Sequence, residues 1–210
     1  MSSAASPHRL ALELALTIRH DGHGGVADDL ATAGGLAAWL QERAAPLAEA
    51  GARVRPGSPP DRATLDAVRE LRAAVRALFA RAVRPGPPSR ADAHRLMSPA
   101  QALERLNAAV ARVPVVTRLD WPEGGDPVLG TAPASPGVPT AAESLTAALA
   151  RDAIAFLAGP ERARLRACPA PRCVRYFVQD HPRQEWCKPS CGNRARVARH
   201  QRRRREAAEG

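Results

Sequence analysis

Between residues 61 and 83 the apolar side chains Leu65, Val68, Leu71, Val75, Leu78, Phe79 and Ala82 recur every three or four positions, with arginines and acids between them. That period predicts an amphipathic helix with one face in a core and its charges on the other face. Two further helix starts carry the reciprocal capping pattern, a hydroxyl followed three residues later by Glu or Gln. Thr140-Ala-Ala-Glu143 predicts a helix over 141–158, and Ser98-Pro-Ala-Gln101 predicts one over 99–112. Looser apolar spacing predicts helices at 8–19 and 33–50, with Trp39 and Leu40 in the core. Proline and glycine mark breaks at Gly51–Pro60, Arg84–Pro88 and Asp120–Pro139. Within the last of these, Val113–Leu119 and Pro127–Leu129 flank Trp121-Pro-Glu-Gly-Gly and predict a short β-hairpin. The fold class is therefore mainly α. Gly159-Pro160 separates a helical domain over residues 1–160 from a second unit over 161–210, and the first is expected to fold without the second.

Composition narrows the function. The chain has 210 residues, enough for one ordinary domain and a small module. Alanine supplies 45 of them, which predicts thin helical packing and modest stability, since alanine buries little area. Of 31 Lys+Arg only Lys188 is a lysine, which removes the phosphate-binding GxxxxGK[ST] loop and leaves no second lysine for Schiff-base chemistry. There is no GxSxG, HExxH or dinucleotide-binding glycine pattern, and the chain is expected not to be an enzyme.

Charge and cysteine both concentrate at the end of the chain. Residues 161–210 hold 14 Lys+Arg and 5 Asp+Glu, a net of +9, against 17 and 16, a net of +1, in residues 1–160. All four cysteines lie there too, as Cys168-Pro-Ala-Pro-Arg-Cys173, thirteen residues, and Cys187-Lys-Pro-Ser-Cys191. The apolar stretch Leu10–Ile18 contains Glu13 and lacks a basic start, so it makes a poor secretory signal. Leu30–Leu40 is about half of what a bilayer needs, so no membrane association is expected. In a cytoplasmic, reducing location two close cysteine pairs read as the ligands of one structural Zn2+, with Cys168, Cys173, Cys187 and Cys191 at its corners. His181 lies inside the window but is surplus to a closed four-thiolate site. Val174–Val178 has the content of a first hairpin strand, and Gly192-Asn-Arg-Ala-Arg-Val-Ala-Arg reads as a helix. Knuckle, hairpin and terminal helix make a treble-clef layout.

The segment Trp186-Cys187-Lys-Pro-Ser-Cys191-Gly192-Asn193-Arg194 resembles the signature of the CGNR zinc-finger family. In that family the finger follows an ABATE-type domain and the proteins are described as stress-induced transcription regulators. Leu12–His20, Asp29-Leu30 and Ala37-Ala-Trp-Leu40 look like the opening of such a domain, so the resemblance covers essentially the whole chain. It implies a DNA-binding regulator whose helical domain senses a small-molecule ligand or forms a homodimer.

The tail helix carries the expected contacts. Arg196, Arg199, His200 and Arg203 share about a third of its circumference at ~3.6 residues per turn, with Arg194, Arg202, Arg204 and Arg205 around them. Guanidinium groups grip phosphates bidentately, so Arg194, Arg196, Arg199, Arg202 and Arg203 are the expected nucleic-acid contacts, with DNA favoured over RNA. An RNA- or ribosome-associated, zinc-ribbon-like protein is the competing reading because Tyr176, Phe177 and Trp186 are able to stack on bases, although their nearness to the cysteines fits a small core. A third alternative is a sensor or enzyme using His20, His23, Asp28 and Asp29, a grouping that reads more simply as a polar loop.

Overall fold

Helix α4 (Arg62–Ala82) is the axis of the molecule, and the 3.6-residue period explains why: Leu65, Val68, Leu71, Val75 and Phe79 are all buried. In the computed structural model, which describes residues 9–23, 25–53, 59–92, 96–134 and 137–209, it starts where the Asp61 carboxylate accepts the Thr64 N–H at 2.7 Å. Around it pack α1 (Leu10–Ala15), α5 (Pro99–Ala111) and α6 (Ala141–Ala158). Both predicted capping boxes form. Ser98 and Gln101 exchange bonds of 3.2 and 3.1 Å at the head of α5, and Thr140 and Glu143 exchange bonds of 3.2 and 3.0 Å at the head of α6. Phe79 of α4 meets Phe156 of α6 with ring centroids 5.2 Å apart.

Two expected helices are altered. The helix expected over 8–19 is α1 alone, with residue 8 outside the described residues. The Thr17 hydroxyl donates to the Leu14 carbonyl at 2.7 Å, and the chain then enters β1 (Ile18–His20), paired antiparallel with β2 (Val26–Asp28). The helix expected over 33–50 divides into α2 (Ala33–Glu42) and α3 (Ala44–Glu49). Pro46 accounts for the division, because it has no N–H for the Glu42 carbonyl and its ring would clash there. Trp39 and Leu40 are buried as expected. Of the expected break at Gly51–Pro60, residues 54–58 lie outside the described residues.

The predicted hairpin is present as β3 (Val115–Asp120) and β4 (Val128–Pro133), antiparallel, with Leu119 opposite Leu129. A third antiparallel pair departs from expectation. The strand expected over Val174–Val178 is β6 (Tyr176–Val178), and its partner β5 (Leu165–Ala167) precedes the first cysteine instead of following the first pair. The segment Cys168–Cys173 is thus part of the turn between β5 and β6. The chain ends in α7 (Pro189–Glu209). The fold is mainly helical, with short antiparallel strand pairs and a cysteine-bearing module.

Charges expected on the solvent face of α4 are partly inside it. Arg72 grips Asp28 with two bonds of 2.6 and 2.7 Å, and Arg76 grips Asp92 with bonds of 2.8 and 3.0 Å. Burying a guanidinium is tolerable only when its donors are satisfied, and these bidentate pairs satisfy them. Burial opposes ionisation of Asp28, but the Arg72 hydrogen bonds and charge prevail and hold its carboxyl below the usual carboxylate range.

Leu165, Tyr176 and Val178 belong to the same buried core as Leu10, Phe79 and Phe156. Tyr176 is fully buried and meets Phe79 edge-on at 5.6 Å. Its hydroxyl donates to Asp92 at 2.7 Å and accepts the Ser89 N–H at 3.3 Å, while the Ser89 hydroxyl donates to the Val174 carbonyl at 2.8 Å. Tyr176 was expected in a separate small core around the cysteines. It completes the core of the helical body instead.

Candidate metal centre and arginine helix

The β5–β6 hairpin and the first turn of α7 bring the cysteines together. The Cys168 N–H donates to the Arg175 carbonyl at 2.9 Å, and the Cys173 N–H donates to the Ala170 carbonyl at 3.0 Å, folding residues 168–175 into a knuckle. Arg172 sits in the left-handed region with φ 63°, which gives the turn its reversal without a glycine. Cys187 precedes α7, and Cys191 lies in its first turn, with Pro189 as the first helical residue.

The four Sγ atoms lie within 4.8 Å of one another, and three of the four cysteines are buried. The Sγ atoms of Cys173 and Cys187 are 3.7 Å apart, and those of Cys187 and Cys191 are 3.5 Å apart. A tetrahedron with Zn–S bonds of about 2.3 Å has edges near 3.8 Å, so the spacing suits zinc. Hydrogen bonds from Cys168, then Cys187, hold the Cys173 thiol far below its ordinary range, whereas contacts with Cys168 and Cys173, together with burial, push the Cys187 thiol up. Four thiolates this close repel one another unless a cation lies between them, and an all-sulfur set suits a soft metal.

Around the sulfurs, Phe177 is buried beside Cys168, Cys173 and Cys191, with Trp186 packed against them. A Cβ on Gly192 would stand 3.0 Å from Cδ1 of Trp186, so the indole lies where only glycine gives it room. Arg194 donates from Nη2 to the Cys191 Sγ at 3.1 Å. The consecutive residues Cys191-Gly192-Asn193-Arg194 thus supply a sulfur, a close approach, an exposed amide bonded to Arg196, and a cation facing sulfur. A family model for the CGNR zinc finger matches residues 164–204. A second model, described as "Putative stress-induced transcription regulator" and called ABATE, matches residues 8–160. The chain belongs to the ABATE family. No curated protein matches it.

In this ABATE protein, α7 leaves the cysteine cluster as an arm. Among its described side chains only Cys191 and Ala195 are buried, and residues 199–208 are all exposed. Arg196, Arg199, Arg202 and Arg203 point into solvent, whereas Arg194 is half-buried against the sulfur. No acidic residue interrupts the stretch from Lys188 to Arg205. His181 is exposed, and its Nδ1 accepts the Arg183 N–H at 3.1 Å in a turn apart from the sulfurs.

Among the described residues of the ABATE body, the histidines and acids of the expected grouping are engaged one by one. His20 accepts the Gly22 N–H, Asp21 accepts the His23 and Gly25 N–H groups, Asp28 is held by Arg72, and Asp29 pairs with Arg19. Each of these groups shapes the β1–β2 hairpin, of which residue 24 lies outside the described residues. Among the described residues the four cysteines are the one set of ligating side chains close enough for a metal. A cavity of about 560 Å³ lies elsewhere in the body, lined by Ala52, Val113, Pro133, Val138, Ser144 and Arg151. No described helix is long and apolar enough to cross a membrane. The chemistry legible in the sequence was the paired cysteines. The signal that escaped it was Tyr176, whose alternation with Phe177 sends one ring to the body and the next to the cysteines.

Proposed function

We propose that this protein is a zinc-containing transcription regulator that binds duplex DNA through α7. Cys168, Cys173, Cys187 and Cys191 hold one zinc ion, which supplies folding free energy and no open coordination position for catalysis. Arg196, Arg199, Arg202 and Arg203 meet phosphates and base edges in the major groove, and Arg194 joins them at the helix base while bracing the Cys191 sulfur. The observation that carries this reading is the exposed arginine arm, free of acidic residues from Lys188 to Arg205, whose first turn contains a cysteine of the cluster. The cluster fixes where the helix starts and thereby where its arginines point.

DNA is favoured over RNA because the aromatic side chains of the cysteine module are engaged. Tyr176 is in the body core, Phe177 is buried beside the cysteines, and the half-buried Trp186 packs on Gly192, so the module offers bases little aromatic surface. A small-molecule inducer of the body would enter the cavity beside Arg151, whose burial lowers its proton affinity. The test is fluorescence anisotropy on zinc-loaded protein across a salt series. Five phosphate contacts give a log–log slope near −4 to −5, and the five-arginine-to-alanine variant should lose both slope and binding. Selection from random duplexes should return an enriched site. Failure to enrich one, together with strong competition by structured RNA, rejects the DNA reading, and metal analysis without one zinc per chain rejects the metal centre.

A further inference from the structure

The β3–β4 hairpin stands out from the body with apolar side chains in solvent: Val116, Leu119, Trp121, Val128 and Leu129, with Leu119 at 63% and Leu129 at 76% exposure. It is a two-stranded ribbon, so among the described residues each strand has an outer edge without a strand partner. We propose that the β3 edge is the interface of a homodimer in which two hairpins join as one four-stranded antiparallel sheet. The proposal does not depend on what α7 binds.

Backbone geometry selects the edge. The Ala134 N–H donates to the Pro114 carbonyl at 2.9 Å, so this opposed pair is a bonded one. Bonded pairs alternate along an antiparallel ladder. Val116, Arg118 and Asp120 therefore direct their backbone groups at β4, and Val115, Thr117 and Leu119 direct theirs outward. The outward positions of β3 all keep an N–H. On β4 the outward set ends in Pro133, and Pro127 occupies the same parity just before the strand, so that edge is blunted at both ends.

Charge selects both the occupant and the register. Outward residues must pair with outward residues, which places the two-fold axis on a residue of β3; an axis at Val115 or Val116 leaves Arg118 and Asp120 with no β3 residue opposite, and one at Asp120 sets two carboxylates face to face. An axis at Arg118 sets two guanidinium groups face to face, and one at Thr117 sets Arg118 against an apolar Val116. An axis at Leu119 sets Arg118 against the partner's Asp120 twice, once on each side. The same register lines up Leu129, Leu119, the partner's Leu119 and the partner's Leu129 in one apolar row. Within one chain Arg118 and Asp120 already lie 2.7 Å apart, over Gly130, whose missing side chain leaves the Asp120 carboxylate its place. A strand that opposes its own reversed copy with matched charges and stacked leucines is complementary to a second copy of itself.

The experiment is sedimentation velocity on the full, zinc-loaded chain over a concentration series, without nucleic acid. A species of twice 22.3 kDa is expected. Leu119→Lys sets two ammonium groups together on the axis and should yield monomer. Arg118→Asp and Asp120→Arg should each raise the dimer Kd by roughly tenfold, and the double variant should restore it, because opposite charges again face each other. A parental far-UV circular dichroism spectrum and a cooperative melt show that the variants are folded, while the Tm of the monomeric ones should no longer rise with concentration. A monomer at every concentration, a dimer insensitive to Leu119→Lys, or single charge reversals that the double variant fails to rescue would each overturn the interface. Assembly beyond a dimer would overturn it too, since this edge closes on itself.

Discussion

Removing residues 161–210 should unfold the helical body, even though α1 to α6 all lie before the cut. The deletion takes Leu165, Tyr176 and Val178 out of the core, with exposures of 0%, 0% and 4%. Truncating a buried aromatic costs about 3–5 kcal/mol and a buried leucine about 2–5, and the low ends with a smaller term for valine reach about 6–7 kcal/mol. Arg76 and Asp92 also lose the Tyr176 hydroxyl and the Val174 carbonyl, and Arg9 loses its ion pair with Glu161. An ordinary domain has only about 5–15 kcal/mol in all, and an alanine-rich one has little to spare. Circular dichroism melts and limited proteolysis of fragments 1–160 and 1–180 measure this. The shorter fragment should unfold without cooperativity and be digested quickly. The longer one keeps β5 and β6 but lacks Cys187, Cys191 and α7, and it should recover a cooperative transition. If fragment 1–160 melts cooperatively within a few degrees of the full chain, the three side chains do not carry the weight assigned to them.

Two other outcomes follow from the site and the body. Asp28 is held below its ordinary range in the folded protein, so the stability it confers is complete above about pH 4 and is lost as pH falls through its lowered value. Urea midpoints from pH 5 to 2 should fall, and Asp28→Asn should lower the pH 5 midpoint while flattening that acid limb; an unchanged limb rejects the assignment. Gly192→Ala drives a methyl to 3.0 Å from the Trp186 ring and should weaken zinc retention in chelator competition, consistent with a strain of about 1–3 kcal/mol. Retention equal to that of the parent would mean that the indole swings aside.

The parts of the fold written in local chemistry were legible. Two capping boxes located α5 and α6 to within a residue or two, because a hydroxyl and a Glu or Gln three residues apart satisfy the same N–H groups wherever they occur. The cysteine spacing marked the cluster for a similar reason. Other features depended on partners distant in sequence. Nothing beside Arg72 or Arg76 shows that Asp28 and Asp92 will receive them, so a charged position on α4 read as solvent-facing. Tyr176 and Phe177 are adjacent aromatics near cysteines, and only the placement of β5 against α4 decides which ring goes where. The division at Arg43 is itself written in local chemistry, since Pro46 forbids a single helix over 33–50.

The exposed outer half of α7 makes salt act in two opposing directions. Arg196 and Arg199, Arg199 and Arg202, Arg199 and Arg203, and Arg202 and Arg205 stand three or four residues apart, each a like-charge pair that weakens the helix by about 0.2–0.5 kcal/mol. Added salt screens that repulsion and lengthens the ordered arm in the free protein, while it weakens attraction to a polyanion. In the proposed complex the phosphates supply that screening, so the last turns of α7 should coil in dilute buffer and wind up on binding. The arm is then a segment whose ordering is set by the charge of its surroundings, and its helicity should rise both with ionic strength and with occupancy.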